Sequence, residues 1–65
     1  MRRVEAERIE KLLKGAGIGA RAFEHLNTGS GRYSWDVIIP GLGIVQTRTQ
    51  AEKVIRGEEA HLARH

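Results

Sequence analysis

Residues 32–52 read RYSWDVIIPGLGIVQTRTQAE, and this stretch decides the fold. The alternation of side-chain types over residues 32–39 predicts a strand with two distinct faces. One face carries Tyr33, Trp35, Val37 and Ile39. The other carries Ser34, Asp36 and Ile38. Pro40-Gly41 predicts a tight turn, because proline presets the first turn position and glycine accepts the second. A third strand then runs from Leu42 or Ile44 to Thr47.

The residues before this stretch predict a helix and a further strand. Residues 2–14 contain no glycine or proline, and at helical spacing one face carries Ala6, Ile9, Leu12, Leu13 and Ala16. Gly15 is a suitable C-cap, because glycine tolerates left-handed backbone geometry. Residues 20–26 are expected to form the first strand. Residues 27–31 contain two glycines, which is typical of a turn between strands.

A second helix is predicted to begin at the capping-box pattern Thr49-Gln50-Ala51-Glu52. Gly57 interrupts this helix, and Glu58 follows it at a position that continues the apolar stripe. Carboxylates are rarely buried without a partner. Either the helix leaves the core after Arg56, or Glu58 meets a cation, which a second subunit could supply. Residues 58–65 are expected to fray or to form an oligomer contact, with fraying favoured.

Together these elements predict a single two-layer α+β domain over residues 1–65. Its order is α-β-β-β-α, with a three-stranded antiparallel sheet and both helices on one face. The predicted core consists of Ile9, Leu12, Leu13, Phe23, Trp35, Val37, Ile39, Val45, Val54 and Ile55. A chain of 65 residues has a thin core, which favours self-association.

Composition excludes several classes of protein. Without cysteine, neither a disulfide nor a thiolate metal site can form. No apolar run approaches the roughly 20 residues that a membrane-spanning helix needs, and no secretory signal is visible. We therefore expect a cytoplasmic protein that does not insert into membranes.

The basic residues suggest a partner of negative charge. The net charge is +3, and eight of the eleven basic residues are arginine, whose planar guanidinium binds phosphate bidentately. Arg21, Arg32, Arg48, Lys53 and Arg56 fall at strand ends, turns and the last helix. The predicted nucleic-acid contacts are the last four: Arg32, Arg48, Lys53 and Arg56.

Residues with catalytic or metal-binding chemistry are few. His61 and His65 have i,i+4 spacing, but a zinc site needs a third ligand, so no metal is predicted. His25 lies alone in a strand and is interpreted as structural. The glycine clusters at residues 15–19 and 29–31 lack the strand, helix or lysine context of phosphate-binding loops. No general acid–base pair is evident, so we predict neither an enzyme nor a cofactor.

The element order resembles that of the double-stranded-RNA-binding domain over the whole chain. That family places a Lys-Lys-x-Ala-Lys motif where this chain has Arg48-Thr49-Gln50-Ala51-Glu52, so Ala51 matches and Arg48 keeps a charge. Its Gly-Pro-x-His loop is replaced by residues 28–31. The topology is also similar to HicA-type RNA-cleaving toxins, but their Gly-Ser-His segment is represented only by Gly29-Ser30-Gly31. Arm-binding domains of phage-type integrases are a more distant likeness. The resemblance implies nucleic-acid binding.

Two functional hypotheses follow from the sequence. The first is a small non-enzymatic nucleic-acid-binding accessory or regulatory protein. The alternative is a protein–protein interaction module that acts through a sheet face or the C-terminal tail. A homo-oligomer is one form that such a module can take. The module's predicted contacts are Ile38, Glu58, His61 and Leu62, which the predicted fold leaves unexplained.

Overall fold

A computed structural model describes residues 1–64 and contains two helices and three strands. In chain order these are α1 (Arg3–Gly15), β1 (Arg21–Asn27), β2 (Arg32–Ile39), β3 (Gly43–Val45) and α2 (Arg48–Ile55). The strands form one antiparallel sheet in the order β1-β2-β3. The predicted α+β architecture is confirmed. No helix within residues 1–64 is long and apolar enough to cross a membrane.

The first helix packs across β1 and β2 through the apolar face that its periodicity predicts. Ala6, Ile9 and Leu13 are buried on this face, whereas Ala16, which was also predicted on it, is the C-cap and is exposed. On the solvent side, Arg3 pairs with Glu7 at 3.5 Å, and this i,i+4 contact adds a few tenths of a kcal/mol, about 0.2–0.5. The Arg3 guanidinium also lies 5.6 Å from the centre of the Trp35 ring, so the indole packs beneath the start of α1.

The register of the sheet assigns its two faces. Ala22 pairs with Val37, and Val37 pairs with Val45, so these three side chains share the face that the helices cover. Val37 and Val45 are fully buried there. β3 ends at Val45, and beyond it the edge of β2 is covered by Met1, whose carbonyl accepts a hydrogen bond of 2.9 Å from the Trp35 amide.

The second helix begins two residues earlier than the sequence suggests. Its N-cap is Thr47, whose Oγ1 accepts a hydrogen bond of 3.2 Å from the Gln50 amide. The Gln50 side chain completes the capping box by accepting from the Thr47 amide at 3.1 Å. The predicted box at Thr49 and Glu52 is therefore wrong. The overlapping Thr47–Gln50 pattern satisfies the orphan amides of Gln50 and Thr47 instead, and Ala51 is fully buried in the core.

The C-terminal segment is joined to β3 by a single bridge near its end. Ile44 forms an antiparallel bridge to Ala63, and its amide donates to the Ala63 carbonyl at 2.7 Å. Gly43 has φ +138°, and a Cβ there would lie 2.6 Å from the Ala63 carbonyl oxygen. Glycine is thus required for the tail to approach this closely. The predicted fraying is wrong for Leu62, which packs against the core, and for Ala63, which is bridged to β3. His65, the last residue of the segment, lies outside the described part of the chain.

The core is smaller and contains more alanine than predicted. It comprises Ala6, Ile9, Leu13, Ala20, Val37, Ile39, Val45 and Ala51. Trp35 and Val54 are only partly buried against it. Leu12 is half-buried, and Ile55 is 36% exposed. Phe23 belongs to the opposite face of the sheet, because its register partner is Asp36 and not a core residue.

Candidate nucleic-acid interface

The sheet has one face that neither helix covers. We call it the open face. It carries Arg21, Phe23, His25, Arg32, Ser34, Asp36, Ile38, Ile44 and Ala63, which share one side because strand residues alternate and paired residues point the same way. Phe23, Ile38 and Ile44 are half-buried, and Arg21 and Arg32 are exposed. The open face is therefore an accessible surface of mixed apolar and basic character.

The register aligns the open-face residues in rows across the strands. Arg21 pairs with Ile38, Ile38 with Ile44, and Ile44 with Ala63. This row runs from a guanidinium at the β1 edge through three apolar side chains to the tail. The next row places Phe23 beside Asp36. The three apolar side chains and the Phe23 ring thus form one neighbouring group, and Arg21 lies at its edge.

Asp36 is the only buried charged residue within residues 1–64, at 6% exposure, although it lies on the open face. Its Oδ2 lies 2.7 Å from His25 Nε2, and its Oδ1 lies 3.8 Å from the Met1 ammonium. The ammonium also donates to the Trp35 carbonyl at 2.8 Å and to Ser34 Oγ at 3.2 Å. These partners satisfy the carboxylate, which would otherwise be costly to bury.

The same contact holds the His25 ring at the surface of the open face. The ring is 37% exposed, and one of its nitrogens is directed at the buried carboxylate. Phe23 lies beside it, with ring centroids 5.5 Å apart and planes inclined by 37°. His25 is therefore a positioned, solvent-accessible ring. Its place in a strand was predicted from sequence, but its pairing with Asp36 was not, because the partner lies on another strand.

The four predicted nucleic-acid contacts do not form one group. Arg32 is exposed on the open face at the start of β2, whereas Arg48 and Lys53 lie on α2 and Arg56 is its C-cap. Arg48 is 3.7 Å from Glu52 and Arg56 is 2.9 Å from Glu58, so carboxylates already compensate both guanidinium groups. Within residues 1–64, α2 contacts α1 and β3 but not β2. The fold thus separates Arg32 from the basic residues of α2.

The predicted interface residues also occupy different places. Ile38 lies on the open face, in the row between Arg21 and Ile44. Glu58 finds its cation within the same chain, at Arg56, so no second subunit is needed to explain it. Leu62 packs against the core. His61 is exposed, with φ 46°, and its Nδ1 lies 3.6 Å from Glu59.

His61 does not lie on a helix, because α2 ends at Ile55. His65 itself lies outside the described residues. Within residues 1–64, no group of three or more histidine, aspartate or glutamate side chains could hold a metal ion. The tail does enclose a shallow cavity of about 380 Å³ against the end of α2, lined by Leu42, Val54 and residues 57–62.

Three open-face residues, Arg21, Phe23 and His25, are absent from the predicted nucleic-acid contacts. Arg21 was recognised as a basic residue at a strand end, but only the register with Ile38 places it beside the apolar row. Phe23 was assigned to the core because aromatic side chains are usually buried. The alternation of β1 offered the missing signal, since Arg21, Phe23 and His25 are two residues apart and must share a face.

The chain matches no protein-family model, and comparison with curated proteins and with solved structures likewise gives no match. The α-β-β-β-α order is therefore the extent of the likeness to the double-stranded-RNA-binding domain.

Proposed function

We propose that this protein is a small, non-enzymatic nucleic-acid-binding accessory protein and that the open face is its binding surface. One observation carries the proposal: within residues 1–64, the open face presents two exposed arginines, and the one carboxylate on it, that of Asp36, is buried. The topology shared with the double-stranded-RNA-binding domain adds support of a general kind, because a shared topology alone does not imply a shared function.

The acidic residues are distributed in a way that leaves the open face positive. Four lie on the helices, namely Glu5, Glu7, Glu10 and Glu52, and Glu59 lies in the tail outside the strands. Glu58 is paired with Arg56, and Glu24 alternates to the other side of β1. Asp36 is buried and bound by the Met1 ammonium and His25. A polyanion approaching the open face therefore meets cations without opposing charges.

Arg21 and Arg32 are suited to contact phosphate groups. Both are exposed, and neither forms an ion pair within residues 1–64. A free guanidinium can donate two parallel hydrogen bonds to a phosphate. Such contacts release counterions, so affinity should fall steeply as salt concentration rises.

The test compares two double variants of equal charge change. Arg21→Gln with Arg32→Gln removes both open-face cations. Arg8→Gln with Lys11→Gln removes two exposed cations from the side of α1 opposite its buried residues. Binding of labelled oligonucleotides is measured by fluorescence anisotropy across a salt series. The open-face pair should lower the slope of log K against log salt by about 1.5, or roughly 0.7–0.9 per lost phosphate contact.

The control pair should leave that slope nearly unchanged. Equal losses in both variants would mean that only net charge matters, and they would refute a role for the open face. A third variant, Arg48→Gln with Lys53→Gln and Arg56→Gln, tests the predicted contacts on α2 and at its C-cap. We expect a smaller effect than for the open-face pair, because Glu52 and Glu58 already compensate two of these cations.

The apolar row favours a second candidate, a protein-interaction module that self-associates. Ile38, Ile44 and Ala63 are adjacent and only half-buried. Sedimentation velocity over a wide concentration range tests this function. A concentration-dependent dimer that Ile38→Asp abolishes would support it, and a strict monomer at all concentrations would refute self-association.

A further inference from the structure

The two adjacent rings on β1 bear on the kind of nucleic acid that the open face accepts. Phe23 and His25 are two residues apart on the same side of the strand, with ring centroids 5.5 Å apart and planes inclined by 37°. They form a short aromatic platform. Neither ring is covered by a helix, and the His25 side chain is 37% exposed.

The orientation of His25 is fixed by the carboxylate of Asp36 on the neighbouring strand. Its Nε2 lies 2.7 Å from Asp36 Oδ2, and the Asp36 side chain is only 8% exposed. The other carboxylate oxygen faces the Met1 ammonium, at 3.8 Å. Because Asp36 is buried and has partners on both sides, the imidazole is fixed at its inner edge, and its ring lies beside that of Phe23. A stacking surface that is already ordered loses less entropy when a ligand binds.

The arginines lie at the two ends of this platform. Arg21 is two residues before Phe23, and Arg32 pairs with Asn27, two residues beyond His25. Six residues of strand separate the two rows, a distance of about 20 Å at roughly 3.3 Å per residue. Cations at both ends with rings between them match a strand that presents phosphates and unstacked bases along one line.

We propose that the ligand of the open face is a single-stranded nucleic acid, whose bases stack on Phe23 and His25 while its phosphates contact Arg21 and Arg32. This inference rests on the proposed function and names its ligand class. In a duplex the base faces are stacked on one another, so rings on a protein surface cannot reach them without unpairing. Stacking and phosphate contact are common to DNA and RNA, so the inference concerns strandedness and not the sugar.

The experiment measures binding of a DNA oligonucleotide of about 12 nucleotides, alone and annealed to its complement, at about 50 mM salt. Two variants each remove one ring conservatively. Phe23→Leu keeps an apolar side chain, and His25→Gln keeps an amide that can donate to Asp36. Tyr33→Leu is the matched control, because it removes an aromatic ring that is 69% exposed on the other side of the sheet.

Each ring variant should weaken single-strand binding on the order of 5- to 100-fold, since stacking on one aromatic side chain has that effect. Duplex binding and the Tyr33→Leu variant should change little. In the unmodified protein, adding the single strand should shift the Phe23 and His25 ring-proton resonances upfield in NMR spectra. This measurement needs no substitution, so it remains decisive if a variant fails to fold.

Different failures have different meanings. If duplex and single strand bind equally and the ring variants bind like the unmodified protein, stacking is refuted while the proposed function stands. If Tyr33→Leu weakens binding as much as the ring variants do, the ligand lies elsewhere and the inference is wrong. If neither nucleic acid binds at about 50 mM salt, the proposed function fails as well.

Discussion

Consecutive residues of β2 lie in two different environments. Val37 and Ile39 point towards the helices and are 0% and 3% exposed. Ile38, between them, points to the open face and is only half-buried. Asp36, also on the open face, is as buried as the core residues. Its contacts are polar, however, and come from the His25 ring and the Met1 ammonium. The two faces of one strand are therefore ordered by different interactions.

The comparison separates the part of the molecule that stabilises it from the part that can bind. On the covered face, apolar side chains from both helices and all three strands meet and exclude water. On the open face, a small network of His25, Asp36 and Met1 supports a surface that is still accessible. Substitutions on the two faces should therefore differ in both size and kind of effect.

The largest effect should come from Ile39→Ala. Its matched control is the separate variant Ile38→Ala, which removes the same atoms from the adjacent position on the opposite face. Ile39→Ala should lower the free energy of unfolding by about 2–5 kcal/mol, because it leaves a cavity in the core. A domain of this size has roughly 3–10 kcal/mol in total. Ile38→Ala should cost less than half as much. Urea unfolding followed by Trp35 fluorescence measures both, and equal costs would contradict the separation of the faces.

The second-largest effect on stability is expected at the buried carboxylate of Asp36. Asp36→Ala should cost about 1–3 kcal/mol, because the Met1 ammonium and His25 lose their acidic partner in a site sheltered from water. Glu24→Ala is the control, since it removes an exposed carboxylate from the adjacent strand on the other side. It should change stability by less than about 0.5 kcal/mol. Chemical denaturation compares the two, and a neutral Asp36→Ala would show that the network adds no stability.

A smaller effect is expected where the tail joins the open face. Gly43→Ala should cost about 1–2 kcal/mol, because φ +138° strains an L-residue and the new Cβ meets the Ala63 carbonyl. Hydrogen exchange at the Ile44 amide should speed up as the tail separates. Gly19→Ala serves as the control, because its Cβ meets nothing within 4 Å and its φ is not left-handed. Unchanged exchange in Gly43→Ala would mean that the tail does not depend on this glycine.

The smallest effect on stability is expected at the start of α2, the helix that helps to bury the covered face of the sheet. Thr47→Ala should lower stability by about 1 kcal/mol, because it removes the side-chain cap from the Gln50 amide. Thr49→Ala should have little effect, since Thr49 lies inside the helix and is exposed. Thermal unfolding measures both variants. A larger loss of stability for Thr49→Ala than for Thr47→Ala would instead support the capping box predicted at Thr49 and Glu52.

Much of this arrangement could be predicted, and the errors have identifiable causes. The alternation in residues 32–39 correctly separated Val37 and Ile39 from Asp36 and Ile38, because the two-residue period of a strand is a local property. Phe23 was misplaced because size and apolarity suggest burial, whereas its face depends on the strand to which it pairs. The cap of α2 was misplaced because two overlapping patterns offer the same chemistry, and packing of Ala51 against the core accompanies the one that is used.

The amino-acid sequence by itself determined the element order, the turn at Pro40-Gly41 and the two faces of β2, since each depends on neighbours a few residues away. Only the tertiary structure decided that Asp36 is buried between His25 and Met1, which are 11 and 35 residues distant. It also decided that Arg21, Ile38, Ile44 and Ala63 form one row. These contacts depend on register and chain closure, which no local pattern specifies.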